Sequence, residues 1–306
     1  MKFTFNKQFM VLMFLLLNCF ASYGANEDLI TKQITIKLTE AGTLPDKIAS
    51  SKKNLVTNLK IIGEINGTDL LFIREMAGSD VKGNGTSGNL SVLDLSEARF
   101  VAGGDSYYHY YYTGYDCHTS NDIISEYSFI GCHSLKSVNI PSSVTEIRES
   151  TFSGCSSLTS VNIPSSVTKI GELAFNECSS LTSVNIPLRV TSIEESAFSG
   201  CSGLRSIYVY AETVPSTVAG AFEGCDSKNC TLYVPKGTYD AYWLSEWGYF
   251  ENIVEFDATN IRNIVAEPEV QENARYAVNG QRLTAPVKGI NLVKYNNGRV
   301  KKEIVK

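Results

Sequence analysis

The amino-acid sequence predicts a repeat solenoid, mainly β with short turns and 3₁₀ segments, and three observations support this fold class. A phrase of 23 residues recurs between Cys132 and Cys225, and self-similarity at that period indicates stacked coils. Apolar residues keep the same offsets in every copy. The segment Ser160–Ile163 alternates polar and β-branched side chains, as a half-buried strand does. Coils stacked about 4.8 Å apart would align these side chains in a continuous core.

Each copy predicts one strand, a turn and a second short segment. Val161 and Ile163 are expected to point inward, and Pro164 ends the strand because proline cannot donate a ladder hydrogen bond. Lys169–Phe175 is too short for a stable helix and is predicted as a turn, a 3₁₀ turn or a short strand. Serine and asparagine occupy the outward strand positions. These ladders are either a polar recognition surface or side chains that bond to one another.

The repeat resembles one known class. From Cys155 to Cys178 it has the pattern C-x-x-L-x-x-V-x-I-P-x-x-V-x-x-I-x-x-x-A-F-x-x-C. This pattern is similar to the BspA-like class of leucine-rich repeats, found in surface proteins of anaerobic Gram-negative bacteria. It departs from the common leucine-rich repeat at Ser166 and Arg189, where Asn or Cys is usual. The resemblance implies a leucine-rich repeat scaffold that serves adhesion or contact with a host or matrix.

Residues 1–24 are predicted to be a secretory signal peptide. Lys2 and Lys7 supply the positive start, and the apolar run Phe9–Leu17 is too short to span a bilayer, so no transmembrane span is predicted. Lipidation at Cys19 stays open, although Asn18 fits poorly before a lipidated cysteine. The chain is therefore expected to be exported to the medium or the outer cell surface, with the periplasm as the alternative address.

Residues 25–89 are predicted to form an α+β cap, because a stacked core needs its open end covered. Strand-like runs cover Ile34–Leu38 and Leu59–Ile65, and Asn66–Asp69 offers capping groups for a helical turn or two. The run 59–76 resembles the segment that precedes the repeats in many BspA-like proteins. Gly83–Gly88 spells GxGxxG, but it does not follow a strand and open a helix, so a loop is predicted.

The solenoid with its C-terminal cap is predicted over residues 90–256, with an inserted loop at 101–122 that is rich in tyrosine. Insertions between repeats map to loops on one face, which is often the binding face. The loop is either a contact surface for protein or sugar, since tyrosine combines apolar area with a polar tip, or a segment folded onto the solenoid. The candidate ligand-binding residues are Tyr107, Tyr108, Tyr110, Tyr111, Tyr112, Tyr115, Tyr208 and Tyr210.

The periodic cysteines are predicted to be buried free thiols. In-register copies point the same way about 4.8 Å apart, whereas a disulfide needs converging Cβ atoms about 3.8 Å apart. Cys225 and Cys230 are the better candidates for a disulfide, with two unbridged thiols as an equal alternative. The three histidines cluster in one segment at positions without a known metal-ligand spacing. They are His109, His118 and His133. No metal or cofactor is predicted.

Residues 257–306 are predicted to be a small C-terminal β-rich module. Asn279–Gly280 is a hairpin signal, and strands are expected over Gly289–Tyr295 and Arg299–Val305. The module resembles the C-terminal domains that some Gram-negative anaerobes use for sorting to the cell surface. The alternative is a terminal sheet that docks on the solenoid.

Composition and motifs narrow the function. The formal charge of −5 and the lack of a basic patch with interleaved aromatics argue against nucleic acid as a partner. No catalytic Ser, His and acid arrangement, phosphate loop or metalloprotease signature is found, so no enzymatic activity is predicted. We expect a secreted or cell-surface binding or adhesion protein that engages a host or matrix protein or glycan. The alternative is a structural or assembly component of the cell envelope.

Overall fold

The computed structural model describes residues 28–218, 220–257, 272–277, 281–283, 285–295 and 300–305. The predicted signal peptide and the lipidation candidate Cys19 lie outside these residues, as does the Asn279–Gly280 turn. Among the described residues, no helix has the length and hydrophobicity of a membrane span.

The N-terminal cap consists of two strands and a helix. Its elements are β1 (Ile34–Lys37), β2 (Asn58–Ile65), α1 (Gly67–Met76) and 3₁₀ turns at Leu44–Asp46 and Lys53–Leu55. Both predicted strands are confirmed. The helix has ten residues, more than the turn or two predicted. A capping box starts it, as the sequence indicates: the Asn66 side chain accepts from the Thr68 N–H, and Asp69 Oδ2 accepts from the Asn66 N–H, both at 3.0 Å.

The first sheet continues from the cap into the coils. Its coil strands are β3 (Val92–Phe100), β6 (Ser137–Asn139), β8 (Ser160–Asn162), β10 (Ser183–Ile186), β12 (Ser206–Val209), β14 (Thr231–Pro235) and β15 (Asn252–Phe256). All pairs are parallel, in the orders β1-β2-β3-β6-β8 and β10-β12-β14-β15. Val138 lies opposite Val161, and Val184 opposite Ile207. Between the two groups the Thr182 N–H donates to the Thr159 carbonyl at 3.4 Å, so like residues of successive coils lie side by side throughout.

A second, shorter parallel sheet forms another face of the same coils. Its strands are β7 (Glu146–Ile147), β9 (Lys169–Ile170), β11 (Ser192–Ile193) and β13 (Ser216–Thr217), which lie next to each other in that order. The segment Lys169–Phe175 therefore begins as a short strand and continues as a turn, in agreement with the sequence.

The core between the sheets is built from columns of like residues. Five phenylalanine rings stack nearly parallel, with centroids 5.1–5.6 Å apart: Phe129, Phe152, Phe175, Phe198 and Phe222. Beside them four cysteine thiols, those of Cys155, Cys178, Cys201 and Cys225, each donate to a phenylalanine carbonyl of the preceding coil, as Cys155 Sγ does to Phe129 O at 3.1 Å. Cysteine fits this position because it is small and apolar and has a weak donor.

The periodic cysteines are buried free thiols, as predicted. The disulfide considered between Cys225 and Cys230 is not formed, and the structure corrects that expectation. Cys225 belongs to the cysteine column, where its thiol points at the Phe198 carbonyl at 3.3 Å, whereas Cys230 directly precedes β14. Both side chains are buried, and both thiols are free.

Each coil turns through two residues with positive φ. One such position is occupied by Tyr127, Ser150, Leu173 and Ser196, and the other by Gly131, Gly154, Glu177, Gly200 and Gly224. Glycine adopts this conformation without steric cost. Glu177, with φ of 58°, is the exception in the glycine column.

The predicted inserted loop is an antiparallel hairpin of β4 (Gly103–Tyr110) and β5 (Tyr115–Thr119). It packs on α1, and the buried Arg74 of that helix holds the junction. The Arg74 guanidinium donates to the carbonyls of Tyr127 and Ser128 at 2.9 and 3.1 Å and to Ser79 Oγ at 3.0 Å. One side chain thus joins the cap, the hairpin and the first repeat.

The far end of the phenylalanine column is covered by a short aromatic segment. It contains α2 (Tyr239–Trp243) and a 3₁₀ turn at Glu246–Tyr249. The rings of Trp247 and Phe250 are fully buried against Phe222, with centroids 4.9 and 5.1 Å away. The C-terminal module is a separate antiparallel sheet. Its strands are β16 (Glu272–Ala277), β17 (Arg282–Leu283), β18 (Gly289–Tyr295) and β19 (Val300–Val305), and they lie in the order β17-β16-β18-β19.

Candidate binding groove

Two of the candidate tyrosines are buried, which corrects their placement in a contact surface. Tyr107 has no exposed area, and its hydroxyl donates to the Glu126 carbonyl at 2.6 Å. The Tyr108 ring lies 5.0 Å from the Arg74 guanidinium and stacks on Tyr127 at 5.4 Å. Both side chains contact the solenoid at Glu126 or Tyr127, and burial raises the pKa of both phenols. Their role is to hold the hairpin in place.

The tip of the hairpin carries the exposed tyrosines. Tyr111, Tyr112 and Tyr115 are 84%, 85% and 54% exposed. The rings of Tyr111 and Tyr112 meet edge to face at 5.9 Å, and Tyr110 stacks on Tyr127 at 5.3 Å. Exposed aromatic area of this kind is typical of binding surfaces, because the rings lose little conformational entropy when a ligand covers them.

A groove of about 520 Å³ separates the hairpin from the second sheet. Tyrosine rings and carboxylates dominate its lining. The tyrosines are Tyr110, Tyr115 and Tyr127, and the carboxylates are Glu126, Glu146, Glu149 and Glu194. The groove thus combines apolar ring edges with an excess of negative charge.

Two cations of the groove are already engaged by its carboxylates. Arg148 lies 3.6 Å from Glu126 and 3.5 Å from Glu146, and Lys169 lies 2.6 Å from Glu194. These pairs are partly exposed and each stabilises the fold only slightly. They fix the positions of the charged groups that a ligand would meet.

A glycine opens the floor of the groove. Arg148, Gly171 and Glu194 occupy the same place in three successive coils. A Cβ atom at Gly171 would lie 2.8 Å from the Arg148 carbonyl carbon, so any side chain here would force the coils apart. Alignment of the repeats by their period reveals this position, which sequence reasoning left unassigned.

The other two candidates, Tyr208 and Tyr210, belong to a different surface. Tyr208 stacks on Tyr233 at 4.4 Å, and both Tyr208 and Tyr210 contact the edge of Phe256. They form a half-exposed aromatic patch at the end of the first sheet, whereas the hairpin rings contact Tyr127. The structure therefore divides the predicted site into two. Tyr233 was missed, although its register opposite Tyr208 is the signal that finds it.

His109 and His133 have different hydrogen-bond partners. His109 Nδ1 is 2.8 Å from Asp116 Oδ1, and His133 Nδ1 is 3.1 Å from the Gly131 carbonyl. Among the residues that the structure describes, no cluster of His, Cys, Asp and Glu has the arrangement of a metal site.

Comparison with protein families identifies the repeat region. Residues 105–237 match the model described as BspA type Leucine rich repeat region, in six copies. No curated protein matches the chain.

Several solved structures resemble this chain in part. A leucine-rich repeat protein of T. pallidum is 26% identical over 45% of this chain and 63% of its own, with a TM-score of 0.36. A leucine-rich repeat protein of Bacteroides ovatus is 21% identical over 67% of this chain and 49% of its own, with a TM-score of 0.40. A leucine rich cell surface protein of Faecalibacterium prausnitzii is 16% identical over 76% of this chain and 90% of its own, with a TM-score of 0.23. The chain thus spans less than two thirds of the first two proteins.

Proposed function

Residues 105–237 form a BspA-type leucine-rich repeat region, and from this premise we propose that the chain is a secreted or cell-surface binding protein that engages a host or matrix protein or glycan. The hairpin tip and the groove beside it are the binding surface. Export through the segment 1–24 and an address on the outer cell surface are part of the same proposal.

One observation carries the proposal: three tyrosines stand exposed at the tip of a hairpin anchored on the repeat scaffold, and one of them, Tyr115, lines the groove. The hairpin is fixed from below by Tyr107, Tyr108 and Arg74, so its exposed rings keep their positions before a ligand arrives. Preorganised aromatic area lowers the entropy cost of binding. Nothing in the packing of the fold requires Tyr111 or Tyr112 to be aromatic, since both rings lie almost wholly in solvent.

The test is retention on an array of glycans and extracellular matrix proteins. The purified chain is compared with a variant that carries Tyr111→Ala, Tyr112→Ala and Tyr115→Ala. A matched control carries Tyr239→Ala and Trp243→Ala, which remove two aromatic side chains that are 40% and 47% exposed on the C-terminal cap. Retention that the hairpin variant loses and the control keeps supports the proposal. The proposal would be contradicted if the array retained the parent chain at no position, or if it retained the hairpin variant as strongly as the parent chain.

A further inference from the structure

A ladder of carboxylates continues the groove along the second sheet. Glu149, Glu172 and Glu195 recur every 23 residues and are all exposed. Their coils are joined by backbone hydrogen bonds, with the Ser150 N–H donating to Glu172 O at 2.8 Å and the Leu173 N–H to Glu195 O at 3.0 Å. Successive carboxylates are therefore one coil apart, about 4.8 Å along the sheet.

The surface along this ladder is concave. A second depression of about 390 Å³ adjoins the groove and is lined by Glu172, Glu194, Glu195, Ser192 and Ser216. Glu194 lines both depressions. We call the two together the trough. It runs from the tyrosine hairpin across three coils, beside the second sheet.

The trough carries negative charge that the free protein does not neutralise. Arg148 and Lys169 pair with the neighbouring Glu126, Glu146 and Glu194, but neither reaches the ladder. Within the described residues, Glu172 and Glu195 form no ion pair. Desolvation and the charges of Glu149, Glu195 and Glu194 raise the pKa of Glu172. Like charges in the same turn of neighbouring coils repel one another. A bound cation would remove this repulsion.

We propose that the trough binds an extended, lysine- or arginine-bearing segment of a partner protein, with its cationic side chains on the Glu149–Glu172–Glu195 ladder and its backbone against the tyrosine hairpin. This inference rests on the proposed function and names the chemistry of the ligand. Ammonium and guanidinium groups complement the carboxylates, and they are also attracted to the faces of exposed tyrosine rings. Sulfated, sialylated and phosphorylated ligands are repelled by the same charges.

The spacing of the ladder favours one backbone conformation. Alternate carboxylates, Glu149 and Glu195, are two coils or about 9.6 Å apart. In a polyproline II helix, residues three apart lie about 9.3 Å apart on the same face. A strand places same-face residues about 6.8 Å apart, which matches neither one coil nor two. Aromatic-lined grooves commonly bind polyproline II segments because those segments are already extended in solution.

The experiment measures fluorescence anisotropy of short labelled repeat peptides with the full chain. A Pro-Pro-Lys repeat is compared with a Pro-Pro-Glu repeat, both of which favour polyproline II. The ladder variant carries Glu172→Gln and Glu195→Gln. The control variant carries Glu40→Gln and Glu251→Gln, which change the same charge at exposed positions outside the trough. We expect binding of the lysine peptide alone, weakened about fivefold in the ladder variant and less than twofold in the control.

Stability serves as the second readout. The ladder variant should unfold at a urea concentration no lower than that of the parent chain, because the substitutions remove like-charge repulsion. Equal binding of both peptides, no binding of either, or equal loss in the two variants would overturn the inference. A third outcome separates the two proposals. If an array ligand loses binding in the Tyr111, Tyr112 and Tyr115 variant but binds the ladder variant as well as the parent chain, this inference is overturned and the proposed function stands. A chain that binds neither array ligand nor peptide would contradict both.

Discussion

The hydroxyl of Tyr127 donates a hydrogen bond of 2.6 Å to Oε1 of Glu149, which lies one coil further along the solenoid. The same tyrosine ring is stacked between Tyr108 and Tyr110 of the hairpin. Tyr127 thus connects the inserted hairpin to the repeat scaffold and forms one wall of the groove.

Tyr127→Phe should weaken that connection without removing the ring stack. The loss of one hydrogen bond to a charged acceptor is expected to lower the free energy of unfolding by about 1.5–3 kcal/mol. Because the site is partly exposed, a water molecule that takes the place of the hydroxyl would reduce this loss. Amide hydrogen exchange should quicken in Gly103–Thr119 more than in the distant coils. Unchanged exchange in the hairpin would show that the hydrogen bond does not hold it.

Phe175→Ala tests the stacked column. The Phe175 ring lies between Phe152 and Phe198, with centroids 5.2 and 5.1 Å away, and is fully buried. The cavity left behind should lower the free energy of unfolding by about 3–5 kcal/mol, measured by urea denaturation. Ser179→Ala, at an exposed position of the next coil, should change it by less than about 0.5 kcal/mol. A loss of under about 1 kcal/mol at Phe175 would contradict the continuous core.

Glu177→Gly should stabilise the chain. Glu177 holds a φ of 58° in a column where Gly131, Gly154 and Gly200 hold φ of 68–72°. Glycine removes a steric cost of about 1–2 kcal/mol, of which the greater freedom of the unfolded chain cancels about 0.4–1 kcal/mol. Gly154→Ala is the reciprocal change and should lower the free energy of unfolding by a similar amount. The cost comes from the positive φ alone, because a Cβ atom at Gly154 would have no close neighbour. A loss of stability in Glu177→Gly, or a gain in Gly154→Ala, measured by urea unfolding, would refute this explanation.

The buried thiols should be inert in the folded chain. Burial raises the pKa of Cys132 to about 11 and that of Cys117 to about 12. At pH 8, iodoacetamide should modify neither in the native chain and both after unfolding in urea, as read by mass spectrometry. Unfolded thiols titrate near pH 8.5, so the unfolded state loses its protons first and stability should fall as the pH rises from about 8.5 to 11. Rapid modification of the native chain would contradict this burial.

Arg74→Lys should loosen the junction between cap and hairpin. Lysine keeps the charge but cannot reach the Tyr127 and Ser128 carbonyls and Ser79 at once with a planar fork of donors. Because buried acceptors are left unpaired, the free energy of unfolding measured in urea is expected to fall by about 1–3 kcal/mol. Limited proteolysis should then cut the hairpin before the coils. An unchanged unfolding midpoint would remove Arg74 from this role.

The periodic part of the fold is predictable from the sequence because identical side chains meet in it. Val138, Val161 and Val184 each face the core at the same point of a coil, so the pattern of one repeat determines the packing of all. The second short strand at Lys169 follows from the same period.

The candidate site was predictable only in part. The insertion and its tyrosines are visible in the sequence, but which rings are buried depends on the hairpin register and on α1, which lies far away in the chain. Arg74 shows why: its partners at Tyr127 and Ser128 are more than 50 residues away, and no local pattern signals them. Similarly, Tyr208 and Tyr210 were grouped with the hairpin by residue type, whereas sheet order places them elsewhere.

The central claim, that the hairpin and the groove beside it bind the ligand, is tested most directly by hydrogen–deuterium exchange with and without a ligand that the array retains. We predict slower exchange in Gly103–Thr119 and in the second-sheet strands at Glu146–Ile147 and Lys169–Ile170, with the first sheet unaffected. Protection confined to the first sheet, including the aromatic patch at Tyr208, with no change in the hairpin, would contradict the claim.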